Sequence, residues 1–190
     1  RSGKTITGAT GTTYVLTGAD KGKTITVKVT GAKDGYSNAS TTSKKTKKVA
    51  AGTLTDVVVP TVTGPGVEPL KVGDVLTVSQ EVWGPEPVTM KYQWYRSGKK
   101  ISKATGTAYT LTASDEKKQI TVKVTGSKTG YTSVTKTSAK TAKIVKADLT
   151  PVIPTITGDA VVGQTLTAVP GSWGPTGVSF SYQWYRGTTA

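Results

Sequence analysis

The sequence predicts an all-β protein built as an antiparallel β-sandwich, in a unit that repeats along the chain. Threonine and glycine dominate the 190 residues, with 37 and 22 copies against one phenylalanine, and β-branched and turn-forming residues favour strands and tight turns. Apolar and polar residues alternate with a period of two in segments such as 24–30, as in half-buried strands. No segment has the apolar spacing of an amphipathic helix.

The internal repeat sets the size of the structural unit. A shift of 95 aligns residues 1–49 with residues 96–144, and 29 of these 49 pairs are identical. A second alignment, whose shift falls from 94 to 90, pairs residues 60–96 with residues 154–186. The unit therefore has 90 to 95 residues.

The two alignments divide the chain into three segments, according to which half of the repeat unit each segment matches. Residues 1–49 match the C-terminal half of a unit, and we call them the back half. Residues 50–145 form a complete unit, the body, and residues 146–190 match the N-terminal half of a unit, the front half.

Seven short strands are predicted within the body, the number expected for a sandwich of this size. They are placed at residues 56–63, 73–80, 89–96, 99–103, 107–112, 119–125 and 133–145. A glycine-bearing loop at residues 126–130 joins the last two as a hairpin. Pro60 marks the first as an edge strand, because the missing N–H costs no ladder bond there.

Two segments of the body resemble immunoglobulin-like sandwiches. Residues 92–96, Tyr-Gln-Trp-Tyr-Arg, look like the central tryptophan strand of that family. Asp115 followed by Ile120 and Val122 is similar to its Asp-x-Gly-x-Tyr-x-Cys segment, with one extra residue and aliphatic residues replacing the tyrosine and the cysteine.

The whole unit is similar to tandem Ig-like repeats in secreted and wall-attached proteins of actinobacteria. The shared patterns are Val-Gly-x-x-Leu-Thr, Trp-x-Pro, Tyr-x-Trp-x-Arg and Gly-Tyr. The resemblance implies an immunoglobulin-like fold in tandem repeats, an extracellular or cell-surface location and a structural role. It implies no activity, because sites do not follow from folds.

The composition excludes the usual catalytic chemistries. The chain has no histidine and no cysteine, so it lacks the nucleophilic triads and the imidazole or thiolate metal sites that depend on them, and it has no disulfides. We therefore predict no enzyme activity and no catalytic, cofactor-binding or metal-binding residues. No run approaches the roughly 18 apolar residues of a membrane span.

The carboxylates show no spacing typical of a calcium loop or an acid–base pair. We expect them to be solvated surface groups; they are Asp74, Glu81, Glu86, Asp115 and Glu116.

The aromatic residues divide into core and surface candidates. Trp94 and Trp184 lie in phase with apolar neighbours and are predicted to point into a core. The tryptophans before Gly-Pro either plug an open end of the sandwich or stack on a sugar, and the tyrosines after the core tryptophans face outward. The candidates for glycan stacking are thus Trp83, Tyr95, Trp173 and Tyr185.

The net charge of +14 is unevenly distributed. Residues 1–50 carry ten basic and two acidic side chains, residues 91–146 thirteen and two, and residues 51–90 one and five. Lysines concentrate at the predicted last strand of each unit, and they are Lys44, Lys45, Lys47, Lys48, Lys136, Lys140, Lys143 and Lys146. They either protect a sheet edge from unwanted pairing or bind an anionic polymer such as acidic polysaccharide or wall teichoic acid. Nucleic acid is not a predicted partner, because no aromatics interleave with the lysines and no reader motif is present.

Two functions remain open at this level. The leading one is a non-catalytic extracellular spacer, and the alternative is a module that binds carbohydrate or an anionic wall polymer. The phase adds a hypothesis in which the front half of one molecule completes the back half of the next, giving head-to-tail filaments. The simpler explanation is a window of a longer array, with neighbouring repeats as the partners. No cofactor is expected in either case.

Overall fold

The computed structural model of the chain describes residues 3–79 and 81–187. The outer ends of the predicted segments 1–49 and 146–190, and the last residue of predicted strand 73–80, lie outside the described residues. The chain forms two compact units, Arg1–Val145 and Lys146–Ala190.

The fold is all-β, as predicted. The described residues contain eleven strands and two single-turn 3₁₀ segments, Gly18–Asp20 and Ala113–Asp115, but no α-helix. The strands are β1 (Lys28–Gly31), β2 (Ala39–Thr42), β3 (Val62–Thr63), β4 (Val75–Val78), β5 (Thr89–Arg96), β6 (Lys99–Lys100), β7 (Ala108–Thr110), β8 (Ile120–Ser127), β9 (Val134–Thr137), β10 (Thr155–Thr157) and β11 (Thr167–Val169).

The body consists of two antiparallel sheets that share one core. One sheet has the strand order β3-β4-β7 and the other β6-β5-β8-β9. All seven predicted strands form, although most are shorter than predicted, and β3 lies at an edge as the proline indicated. The longest pairing joins β5 to β8 over eight residues each, from Thr89 opposite Ser127 to Arg96 opposite Ile120.

The core lies between these sheets and centres on Trp94. Trp94, Ile120 and Val122 have no exposed surface, and Leu76 of the facing sheet is 1% exposed. Apolar burial of this kind is the main driving force for closing a sandwich. The predicted core position of Trp94 is therefore confirmed.

The predicted last strand, 133–145, is wrong beyond β9. After Thr137 every third residue faces β8, because the N–H groups of Ser138, Thr141 and Ile144 donate to β8 and the preceding turn at 2.9, 3.0 and 3.0 Å. The hydroxyl groups of Ser138 and Thr141 accept the N–H groups of Val122 and Ile120 at 3.0 and 2.9 Å. Side-chain oxygens thus complete a ladder that a regular strand would complete with carbonyl groups.

The back half keeps the local structure of the body but not its burial. Strand β1 pairs β2 with Lys28 opposite Thr42, which is the register of Lys123 opposite Thr137 in β8–β9 after the shift of 95. Val27 and Val29, however, are 56% and 59% exposed, whereas the matching residues of β8 are 0% and 3% exposed.

The front half shows the same contrast. Strands β10 and β11 pair with Thr157 opposite Thr167, the register of Thr63 opposite Thr77 in the body. Residues 179–186 match β5 but form no strand, and Trp184 is 48% exposed. The prediction that Trp184 points into a core is therefore wrong, because no described strand of its unit pairs with this segment as β8 pairs with β5.

Candidate functional site

Trp83, the first stacking candidate, is a core residue. Its side chain is 2% exposed. Gly126 of β8 lies against the indole, and a Cβ there would come within 2.5 Å of Cε3 of Trp83. The ring therefore fills the end of the sandwich, and the stacking hypothesis is corrected at this position.

The other three stacking candidates remain partly or fully exposed. Tyr95 is half-buried, and Nζ of Lys123 lies 4.8 Å from its ring centroid. Trp173 is half-buried, and its Nε1 donates to the carbonyl of Pro170 at 2.9 Å. Tyr185 is 90% exposed. Tyr95 belongs to the first unit and the other two to the second.

Most of the predicted lysines lie in the segments that follow β2 and β9. In these segments every third residue faces the neighbouring strand, and the lysines occupy positions between those residues. In the body, Lys140 and Lys143 are exposed and occupy the positions between the inward-facing residues. In the back half, Lys45 and Lys48 occupy the matching positions and are also exposed. The remaining predicted lysines, Lys44, Lys47 and Lys146, are exposed too, and Lys136 is half-buried in β9.

Asp115 is buried, which corrects its predicted surface position. The residue is 0% exposed. Its Oδ1 accepts Nε of Arg96 at 2.5 Å, and its Oδ2 accepts the hydroxyl of Tyr109 at 2.8 Å and both the N–H and the hydroxyl of Thr112 at 2.7 and 2.8 Å. The carboxylate thus ties β5, β7 and the 3₁₀ segment to one point.

Ionisation within this cluster is perturbed by the contacts just given. Burial raises the pKa of Asp115, but the hydrogen bonds from Arg96 and Thr112 outweigh it and hold the pKa below its ordinary value. The hydrogen bond to Asp115 raises the pKa of Arg96. Burial, and then the hydrogen bond to Asp115, raise the pKa of Tyr109. The cluster is therefore an ion pair at neutral pH.

The buried Asp115 cluster is not among the sequence-based predictions, although the repeat carries a signal for it. Asp20, Tyr14 and Thr17 stand at the matching positions of the back half. Oδ2 of Asp20 accepts the hydroxyl of Tyr14 at 2.8 Å and the hydroxyl of Thr17 at 2.9 Å, and Asp20 is also 0% exposed. An aspartate, a tyrosine and a threonine that all recur in both copies indicate a shared structural role.

Trp94 itself occupies a well-defined indole site. Its Nε1 donates to the carbonyl of Gly106 at 2.9 Å, and its ring stacks on Tyr109 with centroids 5.7 Å apart. The main-chain N–H of Trp94 donates to the carbonyl of Ala104 at 3.0 Å, and the main-chain carbonyl of Trp94 accepts the N–H of Ile101 at 3.0 Å. The loop after β6 thus closes over the indole.

Neither metal-binding clusters nor membrane spans are found in the parts of the chain that the structure describes. Within residues 3–79 and 81–187, no three or more acidic, histidine or cysteine side chains gather where they could hold a metal ion. Over the same residues, no helix has the length and apolar character needed to cross a membrane.

Comparisons with family models, with curated proteins and with solved structures find no match to the chain.

Proposed function

We propose that the chain is a non-catalytic, extracellular structural module in which Ig-like sandwich repeats act as spacers. The order of the sheets supports the Ig-like assignment, because the strand after the tryptophan strand joins the β5-β8-β9 sheet as a C′ strand does. The repeated strand registers of the two halves support the tandem organisation. The resemblance of the sequence patterns to wall-attached repeats supports the extracellular setting.

The observation that carries the spacer role is that the chain enters and leaves the body at opposite ends. At the entry, the N–H of Gly52 donates to the carbonyl of Gly130, just beyond the end of β8. At the exit, the N–H of Lys117, just before β8, donates to the carbonyl of Ile144. Strand β8 spans about 27 Å at roughly 3.4 Å per residue. A pull on the chain therefore acts along the strands.

Hydrogen bonds at each end fix these attachment points. The N–H of Thr132 donates to the carbonyl of Gly52 at 2.9 Å, and the N–H of Val145 donates to the carbonyl of Leu70 at 2.9 Å. The backbone of Gly18 in the back half packs directly on Thr129 and Gly130, where no Cβ fits. Such contacts stiffen the joint between the back half and the body.

Single-molecule stretching tests the spacer role. Pulled from both ends, the body is expected to unfold in one event that lengthens the chain by about 300 Å, because its residues extend by about 3.6 Å each once released. A single event is expected since the two sheets share one core. Gradual extension without a discrete event would contradict the proposal.

Binding of an anionic polymer is the second candidate, favoured by the regular placement of the lysines. With Lys140 and Lys143 three residues apart on the outer side of one edge, positive charges line up along the sheet. Purified wall teichoic acid is expected to bind at low salt and to be released as salt screens the contact. Combined Lys140→Glu and Lys143→Glu substitutions should weaken binding several-fold.

The matched control places the same charge change on the opposite edge of the same sheet. Lys99 and Lys100 form β6, are exposed, and lie at the far edge in the order β6-β5-β8-β9. Their replacement by Glu should leave much more of the binding intact. Equal losses in the two double variants would reduce the interaction to net charge alone and would contradict a role for the edge.

A further inference from the structure

The body has an open cavity beside the first half of β5. The cavity has a volume of about 350 Å³. It lies within the complete body and is separate from the lysine edge of the second candidate function. Its lining includes apolar or aromatic side chains and two carboxylates, from Val82, Val88, Met90, Tyr92, Glu81 and Glu86.

The main chain of β5 next to this cavity has free hydrogen-bonding groups. Strand β6 pairs only with the last two residues of β5, and the N–H and C=O of Trp94 bond to the loop after β6. Because the main-chain groups of a strand alternate in direction, those of Met90 and Tyr92 point to the same side as those of Trp94, away from β8. Among the described residues they have no main-chain partner. This short stretch is therefore a sheet edge that can accept another strand.

The edge and the cavity lie on the same side of β5, because the side chains of Met90 and Tyr92 line the cavity. Residues directly opposite each other in an antiparallel pair have their side chains on one face of the sheet. A residue opposite Met90 or Tyr92 in an added strand would therefore direct its side chain into the cavity. The neighbours of that residue would face the other side, where Lys91 is exposed.

The carboxylates determine the charge of the side chain that fits the cavity. Glu81 and Glu86 are exposed, and within the part of the chain that the structure describes neither carboxylate forms an ion pair or accepts a hydrogen bond. Lys128 reaches the same loop, but its Nζ donates to the main-chain carbonyls of Glu86 and Pro87 at 2.8 and 3.3 Å. A cation on an apolar stem, such as a lysine side chain, complements both the carboxylates and the apolar wall.

The repeat shows that the sandwich does not require these carboxylates. In the front half the apolar positions of the lining recur as Val178, Phe180 and Tyr182. The positions of the two carboxylates are occupied there by Gly171 and Thr176. The negative charge is thus a property of the body and not of the repeat unit.

We propose that this edge of β5 binds an extended peptide of another protein by strand addition, with a lysine or arginine side chain in the cavity beside Glu81 and Glu86. The N–H and C=O groups of Met90 and Tyr92 supply the main-chain hydrogen bonds. Lys91 repels a basic side chain at the adjacent peptide positions. The peptide that fits therefore alternates basic or apolar side chains toward the cavity with uncharged or acidic ones toward Lys91.

The lysine-bearing edge strand of a second copy does not fit this pattern. In β9 the N–H of Ser138 donates to β8, so the main-chain groups of Thr135 and Thr137 face the free edge. Pairing of that edge with β5 would direct the two threonines into the cavity and place Lys136 on the side of Lys91. A peptide of another protein is therefore favoured over a second copy.

Peptide titration into the full chain, followed by calorimetry, tests the pattern. The probe is the synthetic peptide Thr-Val-Thr-Lys-Thr-Val-Thr, in which lysine and valine share a face. The control peptide, Thr-Thr-Val-Lys-Val-Thr-Thr, has the same composition but places lysine and valine on opposite faces. The control is expected to bind at least about tenfold more weakly, a difference of about 1.4 kcal/mol.

Variants of the chain test the carboxylates. Combined Glu81→Gln and Glu86→Gln substitutions should lower the affinity for the probe at least about tenfold. Combined Glu68→Gln and Glu116→Gln substitutions make the same change in net charge at residues that do not line the cavity. They should leave the affinity unchanged.

Methylated probes test the main-chain contact. The N–H of the probe lysine would point toward β5, whereas the N–H of the next threonine would point into solvent. N-methylation of the lysine should therefore abolish binding, and N-methylation of that threonine should leave most of it.

Several results would overturn the proposal. They are no binding of the probe at about 1 mM, equal affinity for the two peptides, equal loss in the two double variants, and equal effects of the two methyl groups. Sedimentation of the chain alone covers the remaining occupant. Self-association that is lost in the combined Glu81→Gln and Glu86→Gln variant would assign the edge to a second copy and contradict binding of another protein.

Discussion

Replacing Trp94 with alanine is expected to lower the free energy of unfolding of the body by about 4 kcal/mol. The indole is fully buried between the two sheets, donates its N–H to Gly106 and stacks on Tyr109. Its removal leaves a large cavity and an unpaired carbonyl. Urea unfolding followed by circular dichroism measures the loss.

Trp184→Ala is the control for this prediction, because the same residue of the same five-residue pattern is half exposed. The stability of the Trp184→Ala chain should change by less than about 1 kcal/mol. A similar loss for both substitutions would contradict the difference in burial between the two tryptophans.

Asp115→Asn should cost the body about 3 kcal/mol, because it leaves Arg96 without its partner and puts an amide where four donors converge. The carboxylate has no exposed surface and accepts all four hydrogen bonds. Glu86→Gln, at an exposed carboxylate, is the control and should change stability by less than about 0.5 kcal/mol.

The same cluster predicts a dependence of stability on pH. The pKa of Asp115 is lowered in the folded chain, so its contribution is fully present above the unfolded value of about 4 and is lost as pH falls through the folded value. Denaturation series should be measured between about pH 2 and pH 6, a range that spans the unfolded pKa. The free energy of unfolding should fall less steeply with decreasing pH in Asp115→Asn than in the unmodified chain. An unchanged slope would contradict the ion pair.

The positions of the strands could be predicted from the sequence because strand patterns are local. The strand predicted at residues 89–96 has the bounds of β5, and the strand predicted at residues 119–125 matches β8 to within two residues at each end. The segment after β9 was predicted wrongly as a strand. There the hydroxyls of Ser138 and Thr141 accept hydrogen bonds from β8 in place of carbonyl groups, so every third residue faces β8 where a strand would have every second.

Burial could be predicted only where the partner strand lies in the same unit. Trp94 and Trp184 have the same neighbours in sequence, yet among the described residues only the segment of Trp94 pairs with a strand like β8. Asp115 looked like a surface residue because Arg96 lies 19 positions away and no local pattern records that contact. The glycan-stacking prediction is wrong at Trp83 for a related reason, because Gly126, which covers the indole, belongs to a strand that is distant in the sequence.

Trp94 and Trp184 differ in burial, with 0% and 48% of their surface exposed. Fluorine NMR of the full chain with 5-fluorotryptophan at all four positions, assigned by single Trp→Phe variants, measures this difference without altering the core of the labelled chain. A soluble paramagnetic agent should broaden the Trp184 signal and leave that of Trp94 sharp. Equal broadening of the two signals would contradict a closed body flanked by open half-repeats.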